Sequence, residues 1–459
     1  MLKIQNRGLT MHFLTVPLPE EIEREEKLGN FKRAKSLIYK RLQSNLPSPL
    51  KERLEYELER IERLIKNYPY SEKKAIKRLS KTIKNFTNRE YRTLLEEGLL
   101  DYITVEGKRK FESRFIENFI FARPEYRKRV KPNKKREKAR QILYKRIKEL
   151  LDGDRPRTYT VTAEIEVIPQ TEKIKGKKVR CWLPYPNVTD QLLDVELIQT
   201  SHKDFFISPA GSSQRTIYME DENQKGLKFS VRFRYKIKEI FFNVKPEDVE
   251  VGWDENLTQY LEERPPHIVF SPYLKQLTEE ITRNETNPYL KAQCIYKWIT
   301  YNVRYSYMHP YALYDNIPLF VATNLKGDCG AQALLFITMC RIAGIPAKWQ
   351  SGWYAHPMFG SPHDWAFFYV KPYGWLPVDL SFGNITSDKP EWVNEFYFGH
   401  LDGFRMVANS EYMADFIPSK KFWRSDPFDN QVGELETEEE HIYTDKFKYR
   451  IKIISFENL

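Results

Sequence analysis

The chain has few of the residues that build disulfide frameworks and metal centres. Its 459 residues include only four cysteines, at positions 181, 294, 329 and 340, and none of them forms a Cys-x-x-Cys pair. The eight histidines are scattered along the chain. These spacings predict neither disulfides nor a zinc site, and we expect no cofactor and no metal.

Long apolar stretches are also missing. The sequence has no run of eighteen apolar residues, so we expect no transmembrane helix. The N-terminal segment lacks a sustained apolar core and a small-residue cleavage site, which argues against a signal peptide. Together with the isolated cysteines, these features predict a cytoplasmic location.

Acidic residues are scarce in the first third of the chain. Residues 1–150 contain 39 Lys and Arg against 21 Asp and Glu, a net charge of +18, whereas the remainder carries −7. Such a region can bind nucleic acid, an anionic membrane or an acidic protein. For its most basic block, 123–148, we favour instead a solvated helix and a flexible linker. Aromatic residues are not interleaved with the charges and we find no nucleic-acid-binding motif, so we do not expect a nucleic-acid partner.

Hydrophobic periodicity divides the chain into four segments. In residues 1–155 apolar residues recur three and four apart, which predicts a basic all-helical domain. Short period-two strands in residues 156–250 predict an antiparallel β-sandwich. Residues 265–400 combine helical and strand patterns, and residues 401–459 form a C-terminal extension with a closing strand. The predicted fold class is therefore α+β, with several domains.

The most informative stretch surrounds Cys329. This cysteine follows a Lys-Gly-Asp turn and precedes an apolar run, residues 331–343, which predicts a buried helix. Asp328 is the expected N-cap of this helix, and Gly344 lies just beyond its end. A thiol at a helix N-terminus faces unpaired N–H groups that stabilise its reactive thiolate form. Cys329 is therefore a candidate nucleophile.

Two further residues have the chemistry that a thiol nucleophile needs. His363 begins the strand-like run HDWAFFYV, and Asp379 lies in WLPVDL, directly after a Lys-Pro-Tyr-Gly turn. The runs are typical of adjacent antiparallel strands, whose pairing would bring both side chains to one end of a sheet. Cys329, His363 and Asp379 then form a candidate catalytic triad. The alternative for His363 is a structural role in the core.

Three motifs around these residues follow one another in a set order. They are Gly-x-Cys before an apolar helix that ends Arg341-x-Ala-Gly-Ile-Pro-Ala, His363 with Trp365 two residues later, and Gly374-Trp375-x-x-Val378-Asp379. In this order they resemble the transglutaminase-like superfamily of papain-type cysteine enzymes, over about residues 270–385. Leu380 departs from the pattern, because many relatives have Pro there. The strand from Cys181 to Pro186 is similar to one in the β domain that precedes the core in bacterial members.

The resemblance implies a cysteine enzyme in which Cys329 attacks a peptide or carboxamide carbonyl and forms a thioester, assisted by His363 and Asp379. The N–H of Cys329 is the expected oxyanion donor, with one side chain of the aromatic loop 305–314 as a further candidate. Transfer to water makes the chain a protease or amidase, which we favour. Transfer to an amine makes it a transglutaminase. A non-catalytic protein-binding module with a basic arm is the remaining alternative.

The expected partners follow from the predicted enzyme class and from the basic N-terminal domain. We expect a protein or peptide substrate, and we consider an acidic partner for the basic N-terminal domain.

Overall fold

A computed structural model describes residues 12–170, 174–385, 389–425 and 428–458. Up to residue 151 the chain is mainly helical, because apolar residues at helical spacing bury one face of each helix. The helices of this region are α1 (Glu20–Lys27), α2 (Phe31–Leu42), α3 (Ser48–Asn67), α4 (Glu72–Thr82), α5 (Asn88–Glu96), α6 (Phe115–Ala122) and α7 (Lys134–Leu151). Among the described residues, no helix is long and apolar enough to cross a membrane.

The N-terminal region also contains a small antiparallel sheet, which corrects the expectation of an all-helical domain. Its strands β1 (Tyr70–Ser71), β2 (Tyr102–Val105) and β3 (Lys108–Phe111) have the order β1-β3-β2. Glu106 and Gly107 both adopt left-handed φ angles, 48° and 72°, and connect β2 to β3 as a tight hairpin. A Glu-Gly pair is a weaker turn signal than Asn-Gly, so the helical pattern around it dominated the prediction.

Beyond residue 157 a run of strands is followed by a region of both helices and strands. The strands are β4 (Thr158–Pro169), β5 (Lys178–Pro184), β6 (Leu192–Thr200), β7 (Phe206–Ile207), β8 (Thr216–Glu222), β9 (Phe229–Lys238), β10 (Ile240–Phe241), β11 (Arg304–Tyr305), β12 (Lys326–Gly327), β13 (Ala347–His356), β14 (Phe359–Val370), β15 (Gly374–Val378), β16 (His400–Leu401), β17 (Arg405–Asn409), β18 (Glu434–Glu436), β19 (His441–Ile442) and β20 (Phe447–Asn458). The helices are α8 (Pro272–Thr282), α9 (Pro288–Asn302), α10 (Ile317–Asn324), α11 (Cys329–Ile342), α12 (Leu380–Gly383) and α13 (Glu391–Phe396). The chain is thus a multidomain α+β protein, and the predicted fold class is confirmed.

Two antiparallel sheets form the β region. One has the order β20-β4-β9-β6 and the other β19-β18-β5-β8-β7, and both contribute side chains to one continuous hydrophobic core. The strand expected near the C-terminus is β20, which pairs with β4 from Phe447 opposite Pro169 to Asn458 opposite Tyr159. Because β18 also pairs with β5, the C-terminal segment completes the two sheets that residues 158–238 begin.

The candidate site lies on the sheet β15-β14-β13-β17 and on α11, which packs against this sheet. Twelve of the fourteen residues of α11 are buried, as its almost uninterrupted apolar sequence requires. The pairing of β13 with β17 is irregular between Ser351 and Gly352, and Gly352 is the residue opposite His363. A Cβ on Gly352 would lie 2.0 Å from the carbonyl oxygen of Met406, so glycine permits this close approach beside the site.

Helix α7, in the most basic block, is anchored in the core. Its residues Ala139, Leu143 and Ile147 are buried. Arg146 donates through Nε and a terminal nitrogen to both carboxylate oxygens of Glu239, at 2.8 and 2.6 Å. One face of α7 is therefore held against the rest of the chain, which corrects the expectation that the basic block is a solvated helix.

Candidate active site

The nucleophile candidate is the first residue of the buried helix α11. Asp328 caps this helix, as expected, because its side chain accepts a hydrogen bond of 3.1 Å from the N–H of Ala331. Tyr311 donates its hydroxyl to the same carboxylate. These two hydrogen bonds fix Asp328, the residue directly before Cys329, and so help to fix the position of the Cys329 backbone.

Gly330 allows other groups to come close to the nucleophile. A Cβ at this position would lie 2.4 Å from the hydroxyl of Tyr311, 2.7 Å from Cη2 of Trp349 and 2.9 Å from Oδ2 of Asp364. Each distance is too short for an unstrained contact. The glycine after Cys329 is therefore required by the side chains gathered there.

His363 and Asp379 are brought together by the pairing of β14 and β15. Val378 lies opposite Ala366, and Asp379 is the next residue along the chain. Nε2 of His363 and Oδ2 of Asp379 are 2.6 Å apart, and both residues are buried. The antiparallel arrangement expected from the sequence therefore places these two side chains in contact.

Arg405 on β17 binds the same aspartate from another side. It donates to Oδ2 of Asp379 at 2.7 Å and to Oδ2 of Asp402 at 2.6 Å, and its side chain is fully buried. The other oxygen of Asp379 accepts from the N–H of Phe382 at 3.0 Å. Every side of the carboxylate is therefore satisfied, and its orientation toward His363 is fixed.

Cys329 and His363 line one cavity of about 320 Å³, which we call the inner cavity. Tyr305 and Tyr307 line it as well, together with residues of α7. The hydrogen-bond partner of the Cys329 thiol is Asp364, the neighbour of His363, because Sγ lies 3.1 Å from Oδ2 of that residue. The structure thus brings the three predicted residues to one site, and it places a fourth, Asp364, beside the sulfur.

The pKa shifts at the site favour a neutral thiol on Cys329 and a neutral imidazole on His363 at rest. Burial raises the pKa of the Cys329 thiol well above its ordinary value, and Asp364 and Asp328 add to the effect. A hydrogen bond from the N–H of Asp364 and the helix N-terminus act in the opposite direction. Burial lowers the pKa of His363, although Asp379 opposes this shift. Burial would raise the pKa of Asp379, but His363 and Arg405 outweigh it and hold the pKa below the usual range.

Three aspartates, Asp328, Asp364 and Asp429, lie around the nucleophile or contact one another beside it. Burial and the nearby carboxyl of Asp429 raise the pKa of Asp364, and burial likewise raises the pKa of Asp429. Gln431 donates to Oδ1 of Asp364 at 2.6 Å. Burial also raises the pKa of Asp328, to about 6. Asp328 was expected only as the cap of α11, and Asp364 was not predicted, because its sole signal in the sequence is its position next to His363.

The aromatic loop before α11 divides into two groups. Tyr305 and Tyr307 line the inner cavity. Tyr311 is engaged with Asp328, and the hydroxyl of Tyr314 accepts from the N–H of His309 at 3.3 Å. His309 itself lies 2.8 Å from the hydroxyl of Tyr68. The side-chain candidates for oxyanion stabilisation are therefore reduced to Tyr305 and Tyr307.

Comparison with known proteins addresses the region that holds this site. The family model of the transglutaminase-like superfamily matches residues 275–380, a segment that includes Cys329, His363 and Asp379. This segment is a transglutaminase-like domain. The resemblance inferred from the three sequence motifs is thereby confirmed for this part of the chain.

Similarity to individual proteins extends beyond the transglutaminase-like domain. An uncharacterized protein from Haemophilus influenzae is 29% identical over an alignment of 205 residues, and the match covers 38% of this chain and 55% of that protein. The chain therefore spans about half the length of this relative.

Two solved structures also resemble parts of the chain. A candidate cysteine protease from Cytophaga hutchinsonii has 17% identity and a TM-score of 0.43, over 66% of this chain and 92% of its own. The periplasmic domain of TgpA from Pseudomonas aeruginosa has 14% identity and a TM-score of 0.27, over 51% and 91% of the respective chains.

Proposed function

We propose that the chain is a cysteine hydrolase that cleaves a peptide or carboxamide bond through Cys329, His363 and Asp379. The observation that carries the proposal is the inner cavity, which is lined by a thiol at a helix N-terminus and by an imidazole bonded to a buried carboxylate. A nucleophile, a base and a group that orients the base are the minimum for acyl transfer. The match to the transglutaminase-like superfamily supports the same chemistry.

The proposed reaction begins with transfer of the thiol proton to His363. Asp379 holds Nε2, so Nδ1 is the nitrogen that accepts this proton. Sulfur then bonds to the substrate carbonyl carbon, and N–H groups at the start of α11 stabilise the oxyanion. His363 returns the proton to the leaving amine as the C–N bond breaks, which leaves a thioester on Cys329. Water, deprotonated by His363, attacks the thioester and releases the acid.

We infer that substrate binding helps to convert the neutral thiol of Cys329 into the reactive thiolate. At rest the thiol is bonded to Asp364, and both the raised pKa of Cys329 and the lowered pKa of His363 favour the uncharged pair. A carbonyl in the inner cavity presents an electrophile and expels water. The ion pair between Cys329 and His363 then forms only once the substrate is bound, directly before the sulfur attacks.

Hydrolysis is favoured over amine transfer because the inner cavity continues into a second one. This outer cavity has a volume of about 630 Å³ and shares Phe121, Tyr305 and Ser381 with the inner cavity, so water can reach the thioester. A transglutaminase would have to exclude water during the second half of the reaction. With methylamine present in the assay, we expect free acid as the main product; predominant amide product would favour the transglutaminase alternative.

Alkylation by iodoacetamide, followed residue by residue with mass spectrometry, tests the nucleophile. We expect Cys329 to react faster than Cys294, which is also partly exposed, because His363 in the same cavity can accept the thiol proton when the reagent is attacked; buried Cys340 should react slowest. The rate at Cys329 should fall by about tenfold or more in His363→Ala, while the rate at Cys294 stays constant. Equal rates at Cys329 and Cys294 in the wild type would instead favour a non-catalytic binding module.

The cytoplasmic location stays a prediction.

A further inference from the structure

The basic helix of the N-terminal region forms a wall of the candidate active site. Ala139, Leu143 and Tyr144 of α7 line the inner cavity together with Cys329 and His363. The next turn of the same helix toward its N-terminus brings Arg136 and Arg140 to the edge that the inner and outer cavities share. Part of the positive charge of this region therefore borders the cavity that holds Cys329.

The charges that line the cleft are strongly unequal. Among the described residues of the outer cavity, five are cationic and one, Glu137, is acidic; the cations are Arg127, Lys128, Arg136, Arg140 and Lys389. Three of these cations also line the inner cavity, where the described lining residues include no Asp or Glu. Lys128, Arg136 and Arg140 are exposed. Clefts lined by one sign of charge focus the field and raise the local concentration of oppositely charged ligands.

We propose that the substrate is an acidic peptide segment, whose carboxylates occupy the outer cavity while the scissile carbonyl lies beside Cys329. This inference rests on the proposed function, because it takes the inner cavity as the place of acyl transfer. The outer cavity of about 630 Å³ has the size of a ligand site. Arginine side chains bind carboxylates in a bidentate manner, and Phe121 and Tyr305 supply apolar surface for the peptide between its charges.

A peptide fits this cleft better than a nucleic acid does. The nucleophile is suited to a carbonyl carbon. The acidic partner considered for the N-terminal domain and the peptide substrate expected for the core are then the same molecule.

Three peptidyl chloromethyl ketones that differ only in charge test the inference. They carry Glu-Glu, Gln-Gln or Lys-Lys before a common Ala-Gly-chloromethyl ketone, and the rate of Cys329 alkylation is measured by intact-mass spectrometry of the full chain. Each rate is divided by the iodoacetamide rate of the same variant, which corrects for changes in the nucleophile itself. We expect the Glu-Glu probe to react about tenfold faster than Gln-Gln, with Lys-Lys slowest. The difference should shrink as salt is raised from 50 to 500 mM.

A matched pair of variants on α7 places the effect in the cleft. Arg136→Gln/Arg140→Gln removes two charges that line both cavities, and Lys138→Gln/Lys145→Gln removes two exposed charges of the same helix that lie outside the linings. The first variant should lose most of the preference for the Glu-Glu probe, and the second should keep it. Equal losses in both variants would assign the preference to net charge and overturn the inference.

The remaining outcomes separate this inference from the proposed function. If the probes show no charge preference while labelling still depends on His363, the acidic substrate is wrong and the hydrolase proposal stands. If the Glu-Glu preference persists in His363→Ala without a loss of rate, the cleft binds acidic peptides and the proposed catalysis is wrong. A single-stranded oligonucleotide serves as competitor. If it blocks labelling more strongly than a non-reactive acidic peptide of equal charge, the occupant is a nucleic acid, and the inference fails.

Discussion

At the scale of single residues, Arg405 holds the carboxylate of Asp379, which in turn is bonded to the candidate base His363. Its guanidinium lies between Asp379 and Asp402, and none of the three side chains is exposed by more than 1%. Removing one partner of a buried ionic cluster leaves the others without compensation, at a cost of about 3–5 kcal/mol. We therefore expect Arg405→Met to lower the free energy of unfolding by about that amount in urea titrations.

Two companion variants show whether the charge cluster is the cause. Arg405→Lys keeps the charge and should be less destabilising than Arg405→Met. Adding Asp402→Asn to Arg405→Met removes one uncompensated carboxylate and should recover part of the loss. No recovery in the double variant would point to lost packing of Arg405 against Phe382 and Trp365 instead.

Asp364 opposes ionisation of the Cys329 thiol. Its carboxyl lies 3.1 Å from the sulfur and raises the pKa of the Cys329 thiol. Asp364→Asn keeps the shape and a hydrogen-bond acceptor but removes the charge, so the thiolate should form at lower pH. We expect iodoacetamide to label Cys329 about three- to tenfold faster at pH 8–9 in this variant, since one pKa unit corresponds to tenfold. Asp429→Asn is the matched change at a carboxyl that contacts Asp364, and it should increase the labelling rate less. An unchanged rate in Asp364→Asn would contradict the argument.

Some residues of the candidate site could be predicted from the sequence alone, and others could not. Cys329, His363 and Asp379 stand within short motifs whose local order carries the information, so their placement at one site could be predicted. Asp364 and Arg405 acquire their roles through contacts with residues 35 and 26 positions away, respectively. No local pattern encodes such a contact, because it depends on how β14, β17 and α11 pack.

At the scale of elements, local signals performed best where several agreed. Helix α11 has an N-cap, an apolar interior and Gly344 with a φ of 77° beyond its end, and its predicted position is confirmed. The hairpin of β2 and β3 had a single weak turn signal and was missed.

Helices α1 and α3 provide a testable case of pH-dependent packing. Burial and the neighbouring Glu57 of α3 raise the pKa of Glu26 to about 9 from an ordinary value of 4.5. The folded state therefore keeps a proton that the unfolded state loses, and this contribution weakens stability as pH rises from about 4.5 through 9. We expect the melting temperature of the wild type to fall between pH 6 and 8.5, and that of Glu26→Gln to fall less. Glu23→Gln, an exposed position on the same helix that pairs with Lys27, should follow the wild type. Parallel curves for all three proteins would rule out a shifted pKa at Glu26.

At the scale of the whole molecule, the end of the chain holds two parts of the fold together. The alternating pattern of β20 predicts a strand but cannot name its partner, because β4 lies almost three hundred residues earlier and pairing over such a distance has no local signature. Ile451 on β20 lies opposite buried Ile165 and contacts Gly360 on β14, three residues before His363. The β-sandwich thus packs directly on the strand that carries the candidate base.

This contact predicts that a change in the β-sandwich will be felt at the nucleophile. Ile451→Asp introduces a carboxylate at a half-buried position against Gly360, and we expect a loss of about 2 kcal/mol in urea unfolding, because an unpaired charge would be partly removed from water there. Lys448→Asp places the same group on an exposed position of the same strand and should cost much less. Iodoacetamide labelling of Cys329 in folded Ile451→Asp should also slow relative to Lys448→Asp, because displacement of Gly360 moves the strand of His363. If the two variants unfold at the same urea concentration, β20 does not anchor the β-sandwich to the sheet of the candidate site.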